Sequence, residues 1–134
     1  MIPIINRSTG MNKTETRYSE YLRILCMQRK IESWKFEPMG LKLAVEKCFY
    51  YPDFFVVYKD HFEFHEVKAY DKKKDAPLVK DDALVKIKVA ACEFPWMDFK
   101  ITWFRSQLSL KKLTMESDVF SGNRWEYRTI KGGK

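Results

Sequence analysis

"YYPDFFVVYKDHFEFHEVKAY", residues 50–70, decides how the chain is read. Two runs rich in Phe, Val and Tyr flank a short polar break at Lys59, Asp60 and His61, which predicts a hairpin with strands over 53–59 and 62–68. Most of the stretch suits a core, yet Asp53 opens the first strand and Glu66 and Lys68 close the second. Side chains alternate faces along a strand, so Glu66 and Lys68 share a face, with Phe64 further from the strand end. Antiparallel pairing around Asp60 and His61 brings Asp53 level with residues 66–68. The spacing thus predicts two carboxylates and an ammonium converging at one end of a hairpin.

That trio suits phosphoryl chemistry. Mg²⁺ takes one or two protein carboxylates and leaves its other positions to water and phosphate oxygens. A cation there polarises a phosphoryl oxygen and acidifies the attacking water, while a lysine beside it orients that water and offsets charge on the phosphate. A lone Asp–Lys or Glu–Lys pair at a sheet edge is commonly structural, and Asp53 also fits a turn after Pro52. The full set, Pro-Asp, an apolar strand, then Glu-Val-Lys, is what points to chemistry.

Upstream, Asn12 followed by Glu15 forms a capping-box pattern, and Tyr18, Tyr21, Leu22 and Leu25 recur at helical spacing, which predicts a helix over 12–30. Pro38 and Gly40 break the following segment into two short extended pieces. Downstream, "AYDKKKDAPL" reads as a charged loop, and "DDALVKIKVAACEF" as a second helix with Asp81 or Asp82 at its N-cap and Pro95 beyond its end. "FKITWF" and "WEYRTI" read as strands. The order of elements predicts an α/β domain with a central mixed sheet flanked by helices.

The chain has 134 residues, 46% of them hydrophobic, which suits one compact domain without repeats or low-complexity linkers. Residues 1–11 read as an N-terminal extension, and 105–134 as unassigned C-terminal strands. The net charge of +7 favours polyanionic partners, nucleic acid first. Cys26, Cys48 and Cys92 form no CxxC pair, consistent with reduced thiols in a cytoplasm. No signal-peptide pattern and no membrane-length apolar run occur, so no membrane partner is expected. Two histidines and no Gly-rich loop leave no Ser-His-Asp set and no phosphate-cradling loop.

Asp53 with Pro52, and Glu66-Val67-Lys68, resemble the signature of the PD-(D/E)XK nuclease superfamily, whose fold is restriction-endonuclease-like. "NKTETRYSEYL", "FEPMGLKL", "YYPDFFVV", "FHEVKA" and "DDALVKIKVAACEFP" are similar to small phage-encoded nucleases, over about residues 12–104. The layout also resembles, more loosely, phage endonuclease I-type Holliday junction resolvases. Ala69 stands where these nucleases often have Gly. The resemblance implies that Asp53, Glu66 and the backbone carbonyl of Val67 ligate Mg²⁺ (Mn²⁺ substituting). It also implies that Lys68 positions the water and that Glu15 adds a ligand from the first helix. By helix spacing Glu15 sits near the Tyr18–Leu22–Leu25 stripe and Glu20 about 140° away.

The implied function is a metal-dependent DNA endonuclease selective for branched DNA, acting in a bacterial host as a homodimer, since resolving a junction takes two cuts. The alternatives are a catalytically silent DNA-binding module of this fold, or an exonuclease or nicking subunit of a recombination or transposition complex. Lys72, Lys73, Lys74, Lys80, Lys86 and Lys88 are the candidate DNA contacts. His61 and His65 share a strand face, but zinc needs three or four ligands and no Cys or His is spaced to complete a set. Trp34, Trp96, Trp103 and Trp125 are read mainly as core.

Overall fold

Asn12 starts the fold. Its side chain accepts a hydrogen bond from the Glu15 main chain at 2.7 Å, and the Glu15 carboxylate accepts one from the Asn12 main chain at 3.1 Å. This reciprocal cap satisfies two N–H groups that a helix start leaves orphaned, and it opens α1, Lys13–Met27. The helix stops short of the expected residue 30 because Arg29 takes the left-handed region, φ 64°. Glu15, Tyr18 and Leu22 form its buried face. This computed structural model describes residues 10–44, 48–105 and 124–131.

The strands are β1 (Ser33–Phe36), β2 (Leu41–Ala44), β3 (Cys48–Tyr50), β4 (Phe54–Val57), β5 (Phe62–Lys68), β6 (Tyr70–Asp71), β7 (Ala76–Pro77), β8 (Asp98–Arg105) and β9 (Arg124–Ile130), with α2 (Asp81–Glu93) before β8. The main sheet runs β1-β4-β5-β8-β9, and β2-β3 forms a separate hairpin. Within the main sheet, β5 and β8 are parallel and the other neighbours antiparallel. A parallel pair needs a crossover, and this one carries β6, β7 and α2. The architecture is therefore mixed α/β, with a mixed five-stranded sheet and two helices.

Each sheet face has its own core. Phe54, Val56 and Val67 pack with Tyr18 and Leu22 of α1. Phe64, Phe99, Ile101 and Trp103 pack with Ile87, Ala90 and Ala91 of α2, and β2 adds Leu41 and Leu43. β5 lies mid-sheet with both faces covered, so every residue from Glu63 to Val67 is buried. Each large apolar side chain hidden this way contributes roughly 1.5–3 kcal/mol.

Two local expectations are corrected. The charged loop at 69–78 contains the β6–β7 ladder, because Asp75 tolerates a φ of 53° and Asp71 accepts from the main-chain N–H of Lys73 at 2.9 Å. The N-cap of α2 is Lys80, with no side-chain cap bond, while Asp81 and Asp82 lie in the first turn, where the helix dipole favours carboxylates. Trp96 is 73% exposed because it follows Pro95 between elements, whereas Trp103 is core and Trp34 and Trp125 pack on the α1 face. Residues 1–9 of the expected extension at 1–11, and much of 105–134, fall outside the described residues, while Met11 packs against the α1-face core. Among the described residues, no helix is long and apolar enough to cross a membrane.

Candidate metal and phosphate site

The β4–β5 ladder ends at Phe54↔His65, one residue short of Asp53, so Asp53 stands at the level of Glu66. Beyond the ladder the main-chain N–H of Val67 has no β4 partner, and it donates to Asp53 Oδ2 at 2.8 Å. On the other side, the Asp53 carbonyl accepts from the Glu37 N–H at 2.7 Å. Gly40 lies so close against the Tyr51 ring that any Cβ there would clash. Pro52 is fully buried. The turn into β4 is thereby packed from several directions, and Asp53 has little freedom to move.

Glu66 faces the α2 side of the sheet. Its Oε1 accepts from the Tyr50 hydroxyl at 2.7 Å and its Oε2 meets Lys68 Nζ at 3.1 Å. The Lys68 side chain is 22% exposed, so the cluster reaches solvent through the lysine. Asp53 and Glu66 are both buried. Among the described residues, Asp53 Oδ1 makes no hydrogen bond. It is a buried carboxyl oxygen without a donor among the described residues.

Burial, and then the Glu66 charge, push the Asp53 carboxyl up to about 8; the Val67 N–H pulls it back, Glu15 adds to the rise and Lys68 opposes it. These causes put Glu66, Glu15 and Lys68 each within electrostatic reach of Asp53. Burial and Glu66 likewise raise the Tyr50 hydroxyl well above its usual range, so it remains a donor. Glu15 is buried while Glu20 is exposed. Glu15 thus serves as capping-box partner, and its charge adds to the rise of the Asp53 carboxyl.

The candidate DNA contacts are all exposed. Lys72, Lys73 and Lys74 occupy the β6–β7 turn and Lys80 starts α2. Lys86 and Lys88 flank the buried Ile87 on α2, the helix that covers the Glu66 face. The histidine pair does not form a zinc pair. His65 places Nδ1 at 2.6 Å from the Tyr18 hydroxyl and Nε2 at 2.8 Å from Glu63, so both ring nitrogens are engaged in the core. Tyr50 and Glu63 are the participants that the sequence reading missed. Glu63 had a signal, since alternation puts it on the face of His61 and His65, while Tyr50 depends on where the β2–β3 hairpin lands.

Compared with protein-family models, curated proteins and solved structures, the chain matches none.

Proposed function

We propose that the chain is a Mg²⁺-dependent DNA endonuclease of restriction-endonuclease-like fold, selective for branched DNA. The observation that carries the reading is the convergence of buried Asp53 and Glu66 with Lys68 at the open end of the β4–β5 hairpin. A mixed sheet flanked by helices is the setting that this reading expects.

The residues fit a divalent cation. Asp53 and Glu66 set two carboxylates beside the ammonium of Lys68, Glu15 acts on Asp53 electrostatically from α1, and Asp53 Oδ1 accepts no hydrogen bond from the described residues. Asp53 and Glu66 would hold the ion with the Val67 carbonyl, and Glu15 would contact it directly or through water. Bound there, Mg²⁺ supplies Lewis acidity at a phosphoryl oxygen and lowers the pKa of the attacking water. Lys68, beside Glu66, would orient the attacking water and offset charge on the phosphate. Tyr50 fixes the Glu66 carboxylate, and the Val67 N–H fixes that of Asp53. The exposed lysines of the β6–β7 turn and α2 would hold the DNA backbone, which carries no sequence information. Two such sites in a homodimer would cut both strands of a junction.

Cleavage of labelled four-way junction, flap, duplex and single-stranded DNA tests this, in Mg²⁺, Mn²⁺ or chelator, beside the Lys68→Ala protein. Metal-dependent cutting of the junction, lost in Lys68→Ala, is the expected result. Cutting of duplex or single strand alone removes the branched-DNA preference, and binding without cutting removes the nuclease.

A further inference from the structure

At the opposite end of β5 from Glu66, a second constellation forms on the other face. Parallel pairing sets Glu63 beside Asp98, and His61 precedes Glu63 by two residues and shares its face. His61 Nε2 lies 2.7 Å from Glu63 Oε2 and 3.8 Å from Asp98 Oδ2. Among the described residues, this is the set of three donors whose ligand atoms all lie within 4.8 Å of one another.

Its surroundings are those of a built site. His61 Nδ1 lies 2.7 Å from Asp60 Oδ1, the carboxylate–imidazole contact that fixes a ligating tautomer and frees Nε2. The Tyr58 ring stacks on the imidazole at 4.5 Å and 8°, which fixes its plane. Glu63 is a buried anchor, held at Oε1 by His65 Nε2 at 2.8 Å, with Lys100 Nζ 3.1 Å from Oε1 and 3.2 Å from Oε2. Asp60 and Glu63 each accept from one ring nitrogen of His61 at 2.7 Å, so a metal ion bound here takes the place of the Nε2 proton. Asp60, Glu63 and Asp98 set three negative charges against the one ammonium of Lys100. With the Nε2 proton replaced by the metal, the imidazole is neutral and the net charge of these groups matches one divalent cation. The His61 and Asp98 side chains are 38% and 53% exposed, so the position is open to solvent.

We propose that His61, Glu63 and Asp98 bind Zn²⁺, with water in the fourth position, clipping the β4–β5 turn to the first residue of β8. An imidazole with two carboxylates suits Zn²⁺ better than Mg²⁺ or Ca²⁺, which take oxygen ligands. Zinc bonds of about 2.0–2.2 Å require the His61 and Glu63 atoms to separate only slightly. Lys100 is the nearby charge that weakens the site. This inference does not rest on the nuclease reading.

The test is calorimetric titration of the chelator-stripped full chain with ZnCl2, with Co²⁺ visible spectra and thermal unfolding alongside. The expected result is one Zn²⁺ that raises Tm, and Co²⁺ bands that include an imidazole ligand. His61→Ala and Asp98→Asn should each weaken binding at least about tenfold, and Asp60→Asn by about tenfold. Asp53→Asn should leave it unchanged. No Zn²⁺ binding, binding indifferent to His61→Ala and Asp98→Asn, or binding lost with Asp53→Asn would each overturn the proposal. Both ligand variants are on exposed side chains, so the fold is retained for comparison.

Discussion

The main-chain N–H of Val67 donates to Asp53 Oδ2 at 2.8 Å, so a side chain takes the place of the strand partner that β4 no longer provides. The ladder stops at Phe54↔His65. One carboxylate thereby caps the open end of the hairpin and is fixed beside Glu66. Burial removes the water that would otherwise screen the two charges.

Asp53→Asn separates the charge from the fold. The amide oxygen can still accept from Val67, while the ionisable carboxyl that folding forces to keep a proton disappears. Cleavage should fall by at least about a hundredfold with DNA affinity kept. The metal-free protein should gain about 1 kcal/mol in urea unfolding with chelator present. Undiminished cleavage by this variant would remove Asp53 from the site.

The pH dependence follows from two carboxyls shifted in opposite directions. Asp53 titrates at about 8 when folded against an ordinary 3.8, so the folded chain keeps a proton that the unfolded chain loses across that window. Its contribution to stability is complete at the acid end and is lost as pH rises towards 8. Burial pushes Glu63 up, but hydrogen bonds from His65 and His61 overcome it and hold Glu63 at about 2 against an ordinary 4.5. That contribution is present above 4.5 and is lost as pH falls towards 2. Metal-free stability should therefore peak on the acid side of neutrality. Mg²⁺ must displace the Asp53 proton, so its affinity should rise about tenfold per pH unit and level off near pH 8. Calorimetry across this range checks it; an affinity that stays flat would contradict the Asp53 assignment.

Tyr50→Phe deletes the hydroxyl that holds Glu66 Oε1 at 2.7 Å. Leaving that oxygen without its donor should cost about 1–3 kcal/mol of stability. Mg²⁺ affinity should drop about tenfold, because supporting hydrogen bonds orient metal ligands. A variant with wild-type Mg²⁺ affinity would make Tyr50 a packing residue alone.

Lys86→Ala and Lys88→Ala remove exposed charges from α2 without touching its buried face of Ile87, Ala90 and Ala91. Each should weaken DNA binding about equally across sequences and lower the slope of log affinity against log salt by about 1. Stability should change by less than about 0.5 kcal/mol. Fluorescence anisotropy over a salt series reads this directly, and an unchanged slope would move the DNA off this helix.

Much of the fold was legible because local chemistry and tertiary packing agree. Asn12 and Glu15 carry a helix start within four residues, Pro95 closes α2, and the Phe/Val/Tyr runs around Asp60 and His61 carry the hairpin. Alternation alone put Glu66 and Lys68 on one face. The β6–β7 ladder was hidden because two-residue strands leave no period to read.

The sequence by itself determined which residues form the elements and that Asp53, Glu66 and Lys68 share one end of a hairpin, since strand alternation and turn position are local. Only the tertiary structure decided how those charges are surrounded. The hydroxyl of Tyr50 reaches Glu66 from another hairpin, the helix carboxylate of Glu15 comes within electrostatic reach of Asp53, and parallel pairing draws Asp98 beside Glu63. These partners are far apart along the chain. Burial and dielectric, which set the charge state of each group, exist only once the sheet and both helices have closed around them.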